Sequence, residues 1–249
     1  MPDTGCLILD GAAGGAWNMA LDEALWELAF RSGRPVLRFY QWSEPTVSLG
    51  YFQAHRERAL YPALDDVALV RRPTGGGAIV HDAGQLTYCY LAPVNEHGRL
   101  ERTERLYDVF HLSLLAALAK QNVACRMLVK AGSARQAREF LCFKRRSVGD
   151  VMLGNDKICG SAQRRRRQGV LQHGSVLLSR SSRLAEIPGI AELAGMVPSA
   201  ERLLHDWIAS AAAALGLRFV ESLVPQEVIA RSRELAARRY AADKWTCRR

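Results

Sequence analysis

Two stretches of this chain carry residue types able to do chemistry. The first reads Arg71-Arg72-Pro73-Thr74-Gly75-Gly76-Gly77-Ala78-Ile79-Val80-His81-Asp82. Its three consecutive glycines separate two apolar, strand-like runs. Glycine serves where backbone takes positive φ or closely approaches a ligand. The two arginines offer charge and donors for a carboxylate or phosphate. The stretch reads as a ligand loop between two strands, against the plainer alternative of a wide hairpin. It fits neither the G-x-G-x-x-G pattern nor the P-loop. The second stretch is Asp156-Lys157-Ile158-Cys159-Gly160-Ser161-Ala162-Gln163-Arg164-Arg165. Its lysine follows a Gly154-Asn155 turn. From there an ammonium can hold a carbonyl oxygen or phosphate, and desolvation beside other cations can make it a base. Gly160, Ser161 and Ala162 let a ligand or a neighbouring strand come close. An ordinary exposed hairpin lysine is the plainer alternative.

The elements that must position these residues follow from periodicity and punctuation. Residues 17–31 read as a helix with Leu21, Ala24, Leu25, Leu28 and Ala29 on one face. Strands are predicted at 36–42, 46–52, 67–72, 78–81 and 86–91. Thr103 caps a helix running to about 121, its apolar face made by Leu106, Val109, Phe110, Leu114 and Ala117. Residues 125–129 read as a strand and 131–147 as a loop. A hairpin spans 148–153 and 157–163, and 169–178 is a further strand. An Ala-rich helix covers 200–215, stopped by Gly216. A short strand follows at 218–221, then a helix from 225 to about 240 with proline in its first turn. This mixed order predicts an α+β fold with largely antiparallel sheets packed with helices. Residues 1–249 read as one domain, with a short helical C-terminal part from about 200.

Composition excludes several classes. The chain is 49% hydrophobic over 249 residues, enough for one large core. No apolar run approaches a membrane span. Met1-Pro2-Asp3-Thr4-Gly5 lacks the basic-then-apolar layout of a signal peptide, so a cytoplasmic location is expected. Cys6, Cys89, Cys125, Cys142, Cys159 and Cys247 form no C-x-x-C pair, which argues against a disulfide scaffold and against a zinc or other metal site. The net charge of +9 suits an acidic partner. Its densest cluster is Arg164-Arg165-Arg166-Arg167. No aromatics interleave with these arginines as on a single-strand nucleic-acid surface, so nucleic acid is not expected.

Taken together, the stretches at 71–82 and 157–165, with Gln172-His173-Gly174-Ser175, resemble the lipoate ligase and octanoyltransferase family, which shares its catalytic fold with biotin ligases. Asn18-Met19-Ala20-Leu21-Asp22-Glu23, Arg38-Phe39-Tyr40-Gln41-Trp42 and Asp243-Lys244-Trp245 extend the resemblance over nearly the whole chain. It implies a biotin/lipoate ligase-like catalytic domain with a medium-chain acyl tunnel and a lysine acceptor on a lipoyl domain. By the resemblance, Lys157 contacts the acyl carbonyl. Arg72, Thr74, Gly75, Gly76, Gly77 and His81 lie along the acyl group, as do Gly160, Ser161, Ala162, His173 and Gly174.

Two chemistries run on such a scaffold. A ligase makes an acyl-adenylate with ATP and magnesium. A transferase takes octanoyl from acyl carrier protein through a cysteine thioester, with no cofactor. Cys142, in Leu141-Cys142-Phe143, looks like the nucleophile of the Gram-positive type of octanoyltransferase. Lys144, Arg145 and Arg146 follow it, and cations beside a thiol favour its thiolate. An inert core cysteine is the plainer alternative. Cys159 lies two residues from Lys157, and i and i+2 of a strand share a face, so direction alone does not dismiss it, although packing suits it better. The resemblance therefore implies an octanoyltransferase of lipoate biosynthesis, with Cys142 and Lys157 catalytic. Its partners would be acyl carrier protein and a lipoyl protein, either glycine cleavage H protein or a 2-oxoacid dehydrogenase E2. The uninterrupted glycine run is closer to the ligase form and keeps an ATP-dependent ligase open. A non-catalytic acyl- or nucleic-acid-binding module is the third reading. Docking of acidic partners on Arg164 to Arg167 is a further expectation.

Overall fold

The computed structural model describes residues 3–94 and 102–249. Its N-terminal part runs through β1 (Asp3–Ala13), α1 (Gly15–Ser32), β2 (Val36–Trp42), β3 (Thr46–Leu49), β4 (Ala68–Arg71), β5 (Ile79–His81) and β6 (Gln85–Pro93). The middle holds α2 (Thr103–Ala119), β7 (Arg126–Met127), α3 (Ala134–Ala137), β8 (Val151–Leu153), β9 (Asp156–Arg166) and β10 (Gly169–Leu177). The chain finishes with α4 (Ile190–Ala194), α5 (Ala200–Leu215), β11 (Leu217–Glu221), α6 (Gln226–Leu235) and α7 (Asp243–Thr246).

Eight strands form one sheet in the order β11-β1-β2-β6-β10-β9-β8-β7. The first three run parallel to one another and every later neighbour is antiparallel. This is the α+β architecture expected. A second sheet, β4-β3-β5, is small. Both β4 and β5 pair with β3 and not with each other. The glycine stretch joining them therefore crosses over β3, and the hairpin alternative is excluded.

Side-chain alternation explains the layers. On β2, Leu37 and Phe39 enter the core beneath α2 and α5, while Val36, Tyr40 and Trp42 enter the core beneath α1 and α6. A strand buried on both faces needs helices on both sides. Trp207 of α5 is fully buried, lies edge-on to Phe39 and donates its Nε1 hydrogen to the Phe110 carbonyl at 2.9 Å. Truncating such an indole costs about 3–5 kcal/mol. α1 ends where Gly33 takes φ 70° and returns its N–H to the Ala29 carbonyl.

Some expectations need correction. Thr103 is the first residue of α2, and Arg102 occupies the cap position without a side-chain bond. The strand expected at 125–129 shrinks to Arg126–Met127. The expected loop at 131–147 holds α3, whose Ser133 and Gln136 form a capping box. β1 was not anticipated, because its two ends are exposed and no clean alternation marks it. No helix among the described residues is long and apolar enough to cross a membrane.

Candidate active site

Lys157 owes its direction to a β-bulge. In the β8–β9 pairing, Met152 faces Lys157 and the next residue back, Val151, faces Cys159, so Ile158 is extra. A bulge re-aims side chains next to it. Strict alternation would put Lys157 and Gly160 on opposite faces. Here the lysine folds over Gly160 so closely that a Cβ at 160 would lie 2.4 Å from Lys157 Cε and 2.6 Å from Nζ. Cys159 instead packs in the main core, where burial raises its thiol pKa. The i, i+2 argument for Cys159 fails because the bulge breaks the period.

Cys142 opens a short 3-10 turn, Cys142–Lys144. The glycine stretch pins it there. Ala78 donates to the Phe140 carbonyl at 2.8 Å, and Cys142 N–H donates to the Ala78 carbonyl at 2.7 Å. A Cβ at Gly77 would lie 2.9 Å from Cys142 N and from the Phe140 carbonyl oxygen. Only glycine permits that approach. The Lys157 ammonium reaches Cys142 Sγ at 3.7 Å and pairs with Asp150 Oδ1 at 2.8 Å, with both charged side chains buried. Burial opposes the charge on Lys157, but the Cys142 sulfur and the Asp150 carboxylate outweigh it and hold the pKa above the usual lysine value. Asp150 is itself fixed by the Ser147 N–H at 2.8 Å. Sequence reasoning missed it. Residues 148–153 read as a strand, but the strand begins only at Val151, and the turn at 148–149 brings the Asp150 carboxylate back to the lysine.

The neighbouring cations go elsewhere. Lys144 pairs with Glu186, Arg145 Nε donates to the Glu139 carbonyl, and Arg146 bonds the carbonyls of Phe143, Arg145 and Asn155. Lys157 is the cation in contact with the sulfur.

Two cavities meet at Cys142. One is apolar and lined by Met19, Trp42, Ile79, His81, His173 and Gly174. The other carries charged and polar side chains on its wall, namely Lys157, Asp150, His111 and Tyr107. Gly76, Ser161, Ala162 and Cys142 border both. Gly75 and Gly77 line the polar cavity, and Gly160 and Arg72 the apolar one. Thr74 is buried behind the loop, on the wall of neither of these two cavities.

Most polar groups on the apolar wall are tied down, but Arg72 Nε and His173 Nδ1 are buried without a hydrogen-bond partner. His81 stacks on Trp42 with centroids 3.8 Å apart, accepts from Ser48 Oγ at 2.7 Å and donates to Gln85 Oε1 at 3.1 Å. Burial, then the charge of Arg72, keeps it neutral, well below the usual histidine pKa. His173 meets the Thr74 hydroxyl at 2.6 Å, and burial lowers its pKa. Its Nδ1 faces Asp22 Oδ2 from 3.6 Å, too far for a hydrogen bond. Asp22, Cys89 and His173 lie close enough together to suggest a metal. However, Asp22 already accepts from Arg38 at 2.7 Å and Tyr40 at 2.9 Å, so a cation would have to displace the guanidinium. Ser161 Oγ bonds Tyr88 and His111, each at 2.7 Å. A Cβ at Gly174 would strike that hydroxyl at 2.2 Å.

The two arginines of the glycine stretch serve the backbone. Arg71 donates to the carbonyls of Thr246, Gly50 and Gln53. Arg72 donates to those of Gly75 at 2.9 Å and Gly77 at 2.8 Å and to Ser48. It thus holds the loop in shape from behind, with Gly76 at φ 92°.

Residues 15–213 match the family model described as the lipoyl protein ligase A/B catalytic domain. The chain is 33% identical to octanoyltransferase LipM of Kyrpidia tusciae, over 98% of this chain and 98% of that one. It is 32% identical to octanoyltransferase LipM of Symbiobacterium thermophilum, over 99% and 100%. Its fold is that of a bipartite lipoate protein ligase of Thermoplasma acidophilum, solved in a study with its E2 lipoyl domain, at TM-score 0.76 and 20% identity over 98% and 96% of the two chains. On the family match from residue 15 to residue 213 and these end-to-end relatives, the chain belongs to the lipoyl protein ligase A/B catalytic-domain family.

Proposed function

We propose that this protein is an octanoyltransferase that moves octanoyl from acyl carrier protein to a lipoyl-domain lysine through a thioester on Cys142. The observation that carries the reading is the placement of Cys142 Sγ, 3.7 Å from Lys157 Nζ, where an apolar cavity opens into a polar one. The acyl chain lies in the apolar cavity and its carbonyl at the junction. The Cys142 thiolate attacks the donor thioester carbon, and the carbon–sulfur bond to the carrier breaks. Lys157 gives its proton to the leaving thiolate. The acceptor amine then attacks the Cys142 thioester and loses a proton to the neutral Lys157. Cys142 leaves as thiolate, so both groups return to their starting states. Asp150 positions Lys157 through the 2.8 Å ion pair. Glycine cleavage H protein or a dehydrogenase E2 domain would supply the acceptor.

The sequence left an ATP-dependent ligase open on its uninterrupted glycines. Packing against Gly50, Arg72 and the Cys142 segment accounts for Gly76 and Gly77 without a nucleotide. Lys157, the cation at the cysteine, is paired with Asp150, and Arg72 Nη2 is taken by the Gly75 and Gly77 carbonyls, which does not favour a triphosphate there. Incubation with octanoyl carrier protein should give a hydroxylamine-labile octanoyl adduct by intact mass, lost in Cys142→Ser. Modification of a lipoyl domain that required ATP and survived Cys142→Ser would replace this reading by the ligase. No transfer by either route would leave the binding module.

A further inference from the structure

The basic surface of this protein has a built centre beside the glycine loop. Tyr51 N–H donates to the Thr74 carbonyl at 2.7 Å, which sets its ring at the loop's outer edge. The Arg248 guanidinium packs on Tyr51 at 3.8 Å and on Trp245 at 4.0 Å. Arg164 approaches the Tyr51 ring at 4.7 Å, and Arg249 lies 5.5 Å from the ring of Phe52, which is 67% exposed. Arg164 sits two residues beyond Ala162, the border of both cavities, and so on the same face of β9.

Neighbouring arginines are already held. Arg166 pairs with Glu23 and covers Trp26, Arg165 bonds Gln163, and Arg239 shares Glu23 with Arg166. Among the described residues, Arg164, Arg248 and Arg249 have no carboxylate in ion-pair range. Aromatic stacking pre-orients them at little further entropic cost. Their field acts on Tyr51, whose phenol is held below its usual pKa, first by hydrogen bonding to Arg248 and then by the charges of Arg248 and Arg164.

Resting on the transferase reading, we propose that Arg164, Arg248 and Arg249, braced on Tyr51, Phe52 and Trp245, dock the acyl-donor carrier protein and grip the phosphodiester at the root of its acyl-bearing arm. The chemistry of the two protein substrates selects the donor. The donor presents an acidic surface and an anionic phosphodiester, for which guanidinium offers paired donors. The acceptor is acidic too, so a basic surface steers either protein; the acceptor carries no phosphodiester, and that group selects the donor. Of the four-arginine run, Arg164 is the member that reaches the Tyr51 ring.

The test separates the two half-reactions. Single-turnover acylation of Cys142 is followed by intact mass with octanoyl carrier protein and, separately, with the octanoyl thioester of N-acetylcysteamine. Arg164→Gln and Arg164→Glu should lower the carrier-to-small-thioester rate ratio in that order, with Arg164→Glu falling about tenfold or more at low salt. In the unaltered protein, added salt should slow the carrier reaction and leave the small-donor reaction nearly flat. This second measurement decides the matter if a variant does not fold. An unchanged ratio together with a flat carrier salt response overturns the proposal. So does a loss confined to transfer from preloaded enzyme to a lipoyl domain, which would assign the surface to the acceptor. Absence of any thioester with either donor in the unaltered protein would instead sink the transferase reading itself.

Discussion

Gly160→Ala tests whether the position of Lys157, and not only its presence, makes the site work. The added methyl would lie 2.4 Å from Lys157 Cε, 2.6 Å from Nζ and 3.2 Å from Asp150 Oδ1. The first two atoms belong to the end of a flexible side chain, so the lysine yields before the strand does. Overpacking of this kind costs about 1–3 kcal/mol. For a chain of this size that lowers the melting temperature by about 2–4 °C per kcal/mol. The protein should therefore fold. The chemistry should suffer more, because an acid–base group moved out of reach forfeits about 10²–10⁴-fold in rate. The assay is single-turnover thioester formation from a small octanoyl thioester, with urea unfolding run in parallel. Lys157→Ala removes the atoms the methyl meets, so the double variant should show a favourable coupling in stability. Thioester formation by Gly160→Ala at the parent rate would refute the reasoning. Equal and additive stability losses would show that the methyl meets something other than the lysine.

Two further outcomes follow from buried charge. Asp150→Asn leaves the Lys157 ammonium buried with only the sulfur beside it, which should cost about 3–5 kcal/mol in urea unfolding. It also removes a carboxylate that holds the lysine pKa up, so the alkaline limb of thioester formation should move to lower pH. An unmoved limb would reduce Asp150 to a purely structural part. His81 has a folded pKa depressed well below 6.5, chiefly by burial. Its contribution to stability is therefore present above pH 6.5 and lost as pH falls below that value toward the folded pKa. By pH 5.5 the loss is at most about 1.4 kcal/mol. Urea unfolding at pH 7.5 and 5.5 should show a shallower fall for His81→Gln, and equal falls would contradict the assignment.

The parts of the fold legible in the sequence are those whose residues report their own surroundings. α5 is legible at both ends from its Ala-rich run and the Gly216 stop, and the structure adds a Ser199 cap. The lysine hairpin was legible from Gly154 and the β-rich runs around it. Other features depend on partners far along the chain. The side chains of Arg71 and Arg72 resemble ligand donors on paper, yet carbonyls from three other segments use them. Asn18 and Asp22 stood out only as part of a family pattern. Their work is to hold the buried Arg38, which also pairs with Asp10 at 2.7 Å. The bulge at Ile158 left no mark, since Val, Ile and Cys suit a regular strand as well as an irregular one.

Cys142 hangs from the three-stranded sheet by the Ala78–Leu141 bridge, while Lys157 rides on the eight-stranded one. No single rigid element carries both. Their separation is thus a gauge of how the two sheets seat against each other, and a slip of an ångström at that seam costs more chemistry than structure. The enzyme should be brittle in activity and tough in backbone. In mild denaturant, thioester formation should fade while helix and strand signals still hold.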